Sequence, residues 1–367
     1  MTAIPWQSLN QALFQRAQHL LDEHWITKDP QLAPVLPVVM ERGVGQDWHK
    51  AGTFKHHLYG VARSLALWQQ PHDVQLLGLL HSVYGNAFVD LVKFDARSER
   101  SRLQALVGVE VEHLVHLFCT MSRSQFINKV LERDFDDDGG MMLELNGPEP
   151  RTSVRLTPRE VACFIIVSMA DTIEQWFSWQ EEIYSRSPNV DTSRKQSVHW
   201  AASLWPGPMR PPSRKICQLS QLGLALEHPG LKDQLPIPPV FNFCTEGVTK
   251  ENDAAATSLY WSVIQLDQPL VDLDVVTAVL EQAVRLNPWV GEPQMVLAQV
   301  YLSAGRQDDA VRAAQSALQC FSAWGNAWDK RVQWDAWVSW TRILLQSAQE
   351  GTWPERLDKL NNLALRT

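Results

Sequence analysis

Cysteine is scarce and scattered in this chain: five residues (Cys119, Cys163, Cys217, Cys244, Cys320) with no CxxC pair among them. An odd, dispersed set argues against a disulfide framework or a zinc ribbon and reads as the reduced thiols of a cytoplasmic protein. Long apolar runs are missing too. The longest, Val161 to Ala170, is interrupted and falls far short of a membrane span. The amino terminus, MTAIPWQSLNQALFQRAQHLLDEHW, lacks a basic stretch leading into an unbroken apolar one, so no signal peptide is indicated. Positive charge is in short supply: 33 Lys and Arg against 41 Asp and Glu give a net charge of -8. That balance argues against a general nucleic-acid interface, which needs a basic face. Sustained alternation of polar and apolar residues, the mark of half-buried strands, is also absent. The expectation is a cytoplasmic protein with neither a membrane nor a nucleic acid as partner.

What is present is helical periodicity. The 367 residues suffice for two domains, and 45% hydrophobic with 20% charged residues is the balance of a folded chain. Leu13, Ala17, Leu20 and Leu21 form one stripe, and Leu58, Val61, Ala62 and Leu65 form another at i, i+3, i+4, i+7 spacing. Leu76, Leu77, Leu79 and Leu80 continue the pattern beyond Pro71, and Val109 to Phe118 and Pro158 to Trp179 read as two further helices. Thr157, Pro158 and Glu160 resemble a capping box with proline at the first helical position. Two segments interrupt the rhythm. Asp134 to Gly140 (DFDDDGG) begins like a calcium loop, but Leu145 stands where the bidentate Glu belongs, so a solvated acidic loop is the better reading. Pro206 to Pro239 carries too many prolines for long helices and reads as an extended covering segment or linker.

After that segment an internal echo appears. Val276, Leu280 and Ala283 correspond to Ala310, Ala314 and Ala317, each 34 positions later, and Leu286-Asn287-Pro288 closes the first copy. This period resembles the tetratricopeptide repeat, whose helix pairs stack through small residues. The expected division is a first domain over 1–185, a proline-rich segment over 186–253 and a helical-repeat module over 254–367. Sixteen tryptophans are an unusual load, and Trp324, Trp328, Trp334, Trp337 and Trp340 crowd the last repeat. Aromatic spacing of this kind reads as a packing face, here one that seals the module against the first domain, a protein partner or a second copy of the chain.

The chemistry is concentrated between Phe54 and Phe88. His57 opens an apolar helix in an H-x-x-x-V-A setting, and His81 closes the next at LLGLLHS. Much later, Asp171 lies inside the apolar stretch FIIVSMADTIEQW. An ionised Asp in such surroundings is costly without a partner, and two imidazoles with one carboxylate from separate helices suit manganese, iron or zinc. The order resembles the HD superfamily of metal-dependent helical domains. Within it, the pattern is closest to the hydrolase domain of the guanosine-tetraphosphate synthetase/hydrolases. Leu114 to Met121 aligns with their LV-x-GVTKL helix, and Met169 to Trp176 with their LADRLHNM motif. The resemblance covers about Thr53 to Trp179 and implies an all-α, HD-type helical bundle with His57, His81 and Asp171 as ligands of a divalent metal.

The departures are specific. Ser82 replaces the superfamily's second-motif Asp, Gly85 and Asn86 stand where an acidic pair would activate water, and Thr120 and Thr172 replace a Lys and an Arg. What remains is a two-histidine, one-carboxylate set of the kind associated with mononuclear non-haem iron. Lys55, His56, Ser82, Tyr84 and Asn86 are candidates for substrate contact or proton handling, and His113 and His116, at i, i+3, for additional ligands. Three functions follow as expectations: an HD-class hydrolase of a small molecule, phosphorylated or not, an iron oxygenase, and a catalytically degenerate domain that binds a ligand or protein.

Overall fold

The computed structural model describes residues 15–22, 24–49, 52–85, 91–145, 152–175, 216–242, 247–266 and 272–356, with a few isolated positions besides. It divides into two compact units. The first comprises Gln15–Glu174 with Gln218–Gly247; the second comprises Met1–Phe14, Gln175–Cys217 and Val248–Thr367.

The first unit is built on helices α1 (Trp25–Lys28), α2 (Val35–Glu41), α3 (Phe54–Leu67), α4 (His72–Leu80), α5 (Arg100–Val107), α6 (Val109–Thr120), α7 (Arg123–Glu132) and α8 (Pro158–Gln175). The stripe Leu58, Val61, Ala62 and Leu65 is fully buried on α3, and Leu76, Leu77, Leu79 and Leu80 are buried on α4. Phe164 of α8 meets Phe118 of α6 and Phe126 of α7 edge-on, at ring separations of 5.3 and 6.1 Å. All three rings are fully buried, and each contributes roughly 1.5–3 kcal/mol through the area it removes from water. Helix α8 starts with the expected capping box: Thr157 N–H donates to Glu160 Oε2 at 2.7 Å and Glu160 N–H to Thr157 Oγ1 at 3.3 Å.

Two antiparallel hairpins interrupt the helices. Strands β1 (Trp48–His49) and β2 (Gly52–Thr53) lead into α3, and β3 (Met141–Glu144) pairs with β4 (Ser153–Leu156). At two and four residues each, they are too short for alternation to stand out from a helical background. The acidic loop before β3 is partly offset by two of the unit's own cations. Arg155 bonds Asp136 at 3.0 Å and Asp138 at 2.8 Å, and Lys129 pairs with Asp134. Part of the proline-rich segment belongs to this unit as well. It contains most of α9 (Ile216–Ala225), from Gln218 onward, and is fastened by Gln70 Nε2 donating to the Pro236 carbonyl at 2.8 Å. Positions 206–215 of that segment lie outside the described residues.

The second unit stacks α10 (Lys250–Ile264), α11 (Leu273–Leu286), α12 (Glu292–Ser303), α13 (Gln307–Trp324) and α14 (Trp334–Glu350). The residues of the 34-residue echo face inward: Val276, Leu280 and Ala283 on α11 and Ala310, Ala314 and Ala317 on α13 are all buried. Gly325 and Gly351, both at φ 65°, end α13 and α14 in the left-handed conformation that glycine adopts without a Cβ penalty. Trp324, Trp328, Trp334 and Trp337 are buried within this unit. Three of the four use their polar edges locally: Trp324 Nε1–H donates to Trp289 O at 2.7 Å, Trp334 to Phe321 O at 2.9 Å and Trp337 to Asp329 O at 3.0 Å. The chain is thus predominantly helical, and among the described residues no helix is long and apolar enough to cross a membrane.

Candidate metal centre

His57 lies one turn into α3. Thr53 caps that helix by accepting from His56 N–H, which fixes where the helix begins and turns His57 into the buried face with Leu58 and Val61. His81 sits at the C-cap of α4, where its Nδ1 donates to the Gly78 carbonyl at 2.7 Å and its own carbonyl accepts from the Cys119 thiol at 3.2 Å. Asp171 lies about one turn before the end of α8, following the buried run Val161 to Ala170.

Three ligand atoms converge. His57 Nε2 lies 3.1 Å from His81 Nε2, and Asp171 Oδ1 lies 3.4 Å from the first and 3.7 Å from the second. Among the described residues no other group of three or more His, Cys, Asp and Glu comes together in this way. Both imidazoles are buried, whereas the Asp171 side chain keeps 15% exposure, so solvent reaches the cluster beside the carboxylate.

The outer atoms decide what this cluster can do. His57 Nδ1 contacts Glu174 Oε2, one helical turn beyond Asp171. Each imidazole therefore has an acceptor at Nδ1, the Glu174 carboxylate for His57 and the Gly78 carbonyl for His81. In the neutral tautomers this selects, both Nε2 lone pairs point into the space shared with Asp171 Oδ1. Three lone-pair-bearing atoms at such distances repel one another until a cation lies between them. Fixing the outer nitrogen of a ligating His by a carboxylate or carbonyl is the usual support of such sites. The donor set therefore fits a divalent metal.

Electrostatics follow the same pattern. Burial pushes the His81 imidazolium down to about 4, against the upward pull of Asp171. Burial alone would raise the Asp171 carboxyl, but His81, Arg123 and His57 outweigh it and hold the group well below the usual carboxylate range. Arg123 Nη2 donates to Asp171 Oδ2 at 2.9 Å, leaving Oδ1 to face the imidazoles.

One family matches part of the chain. A model of a domain of unknown function (DUF6817) aligns with residues 38–123. The stretch includes His57 and His81 and ends before Asp171, so it takes in two of the three donors. No curated protein and no solved structure matched the chain.

The other residues expected near the centre are dispersed. His56 is exposed and its Nδ1 lies 3.1 Å from Thr53 Oγ1, completing the cap of α3. Lys55 is half-buried, with its ammonium 5.9 Å from the Tyr59 ring. Ser82 is buried directly after His81. Tyr84 points elsewhere: its hydroxyl donates to Glu112 at 2.8 Å, and burial together with that carboxylate raises its ionisation well above the ordinary value. Glu112, itself buried, also accepts from Arg100 at 2.7 and 2.9 Å and from Gln104 at 2.8 Å. His113 is exposed beside Glu160 at 3.3 Å, and the His116 ring packs edge-on to Tyr84 at 5.9 Å. Asn86 lies outside the described residues.

Three functional neighbours escaped the reading of the sequence. Glu174 was discoverable as an acid at i+3 from Asp171, on the same helix face. Arg123 carries no local signal, since its partner lies 48 residues away. His49 of β1 packs its ring 4.7 Å from that of His57, through a hairpin that the sequence did not reveal.

Proposed function

We propose that the first unit is an HD-type domain in which His57, His81 and Asp171 hold one divalent metal ion, and that it hydrolyses a small molecule. The observation carrying this reading is the convergence of His57 Nε2, His81 Nε2 and Asp171 Oδ1 with both Nδ1 atoms turned to acceptors. A divalent ion there supplies a Lewis acid and a water acidic enough to ionise near neutral pH. The protein's part is to hold and orient. Glu174 and Gly78 lock the ring tautomers, and Arg123 keeps Asp171 to a single inward oxygen. Ser82, in place of the superfamily's Asp, leaves three protein donors and correspondingly more open positions for water and substrate. The echo on α11 and α13 supports a tetratricopeptide-like module in the second unit, suited to a protein partner or a second copy of the chain.

A second reading, a mononuclear iron oxygenase, draws on the same donor set: two imidazoles and one carboxylate, with no fourth protein donor among the described residues. Metal content of untagged protein separates the two. Manganese or zinc at one per chain, lost in His81→Ala and Asp171→Ala, supports the hydrolase; iron at that level with oxygen-dependent turnover supports the oxygenase. Wild-type protein that takes up no metal on reconstitution sinks both and leaves a ligand-binding module.

A further inference from the structure

Arg123 is more elaborately placed than a counter-ion for Asp171 needs to be. It stands at the first position of α7, immediately after the Ser122 cap, and its side chain is only 11% exposed. The guanidinium carbon lies 4.2 Å from the centroid of the Phe118 ring, which fixes the plane of the fork. Among the described residues only Nη2 is committed, to Asp171 Oδ2. The Nε–H is buried and has no hydrogen-bond partner among the described residues. A buried donor left unpaired on a charged group costs free energy, and it marks a place where an acceptor belongs.

The charge balance points the same way. Asp171, bonded to Arg123, and Glu174, bonded to His57, bring two negative charges against the one positive charge of the guanidinium, so a divalent ion leaves these groups with a net positive charge. Such a centre favours an anion in the open position. The guanidinium fork, one carboxylate removed from the metal donors, is shaped for two parallel bonds to an oxyanion.

Resting on the metal reading above, we propose that the ligand of this centre carries an oxyanion, a phosphate or carboxylate group, held jointly by the metal and by the free edge of the Arg123 guanidinium. Arg123 is then a binding residue for substrate and not only a partner of Asp171.

The test uses the full chain loaded with Mn2+ and titrated calorimetrically with inorganic phosphate and, separately, with acetate. Mn2+ affinity is measured first on every sample. Loaded wild type is expected to bind one of the two anions, and which one identifies the class of headgroup. Arg123→Gln weakens that binding by about tenfold or more, because a charge-assisted pair is lost, while Mn2+ affinity changes less. Arg123→Lys, which keeps the charge without the planar fork, falls between the two and decides the matter should the Gln variant fail to fold. Equal anion affinity in wild type and both variants, or no anion binding by the loaded wild type, overturns the proposal. Failure of the wild type to bind Mn2+ overturns the metal centre itself, and is visible before any anion is added.

Discussion

Removal of Glu174 provides the sharpest perturbation of the donor cluster, because it changes no ligand. Glu174 contacts His57 Nδ1 and so holds the ring with Nε2 inward. Gly60 makes that approach possible: a Cβ at position 60 would stand 2.7 Å from Glu174 Cγ. The glycine sits mid-helix on α3, where alanine would otherwise be worth up to about 1 kcal/mol, so the absent side chain serves the close approach. Two independent substitutions therefore attack the same contact. Glu174→Ala removes the acceptor, and Gly60→Ala displaces it without touching a polar group. Loss of such an outer partner typically lowers metal affinity by about 10- to 100-fold. Glu174→Gln, which still offers a carbonyl oxygen to Nδ1–H, should lose less than Glu174→Ala. The assay is competition for Mn2+ against a calibrated chelator at neutral pH, with circular dichroism to confirm folding. Unchanged affinity in both Glu174→Ala and Gly60→Ala would refute the argument that tautomer and ring orientation are set from this side.

Two further predictions concern buried polar groups away from the centre. In the second unit, Glu292 is buried while its Oε1 accepts from Trp328 N–H at 2.6 Å and Asp329 N–H at 3.0 Å. Burial, with Asp329 nearby, lifts its carboxyl to about 7 despite those bonds. The folded state then holds a proton that the unfolded chain releases near an ordinary carboxylate value. Stability is fully present at acid pH and falls as pH rises through about 7, by roughly 3 kcal/mol if the whole shift is expressed. Urea unfolding of wild type followed by tryptophan fluorescence should show lower stability at pH 8 than at pH 5, and Glu292→Gln should flatten the difference; equal pH dependence in the two would contradict it. In the first unit, Tyr84→Phe removes one of the donors to buried Glu112 but leaves Arg100 and Gln104 in place. A loss of about 1–2 kcal/mol is expected on denaturation; metal affinity should be unaffected, since the Tyr84 hydroxyl bonds to Glu112 and not to the donor cluster.

How much of this was legible follows from what each feature depends on. The helices and the α8 capping box rest on spacing within one segment, and spacing is what a sequence displays. His57, His81 and Asp171 were singled out because their order along the helical segments resembles that of the HD superfamily, with Asp171 set inside an apolar run. Their convergence at 3.1 to 3.7 Å depends on the packing of α3, α4 and α8, which periodicity constrains only by saying which faces are apolar. His56 and Tyr84 show the limit of arguing from proximity in sequence. His56 adjoins His57, but successive helical residues point about 100° apart, so His56 turns outward and caps its helix. Tyr84 follows His81 by one turn and is drawn to Glu112, a residue whose burial no local pattern announces.

The same geometry explains why the supporting residues are harder to read than the ligands. A ligand must break an apolar pattern, because it is polar and buried. A supporting residue need only reach the ligand's far side, and it can stand at the margin of the core, where charged residues are unremarkable. Glu174 is near the end of α8, and Arg123 begins α7. Each looks like an ordinary charge at a helix terminus until its partner is known. For Glu174 the partner is fixed by helix phase, since a residue at i+3 from an inward-facing Asp lies on the same face. For Arg123 nothing local fixes it. The asymmetry has a consequence for design: replacing an apparently peripheral charge in this unit tests the centre more selectively than replacing a ligand, because the donors remain and only their orientation or charge balance changes.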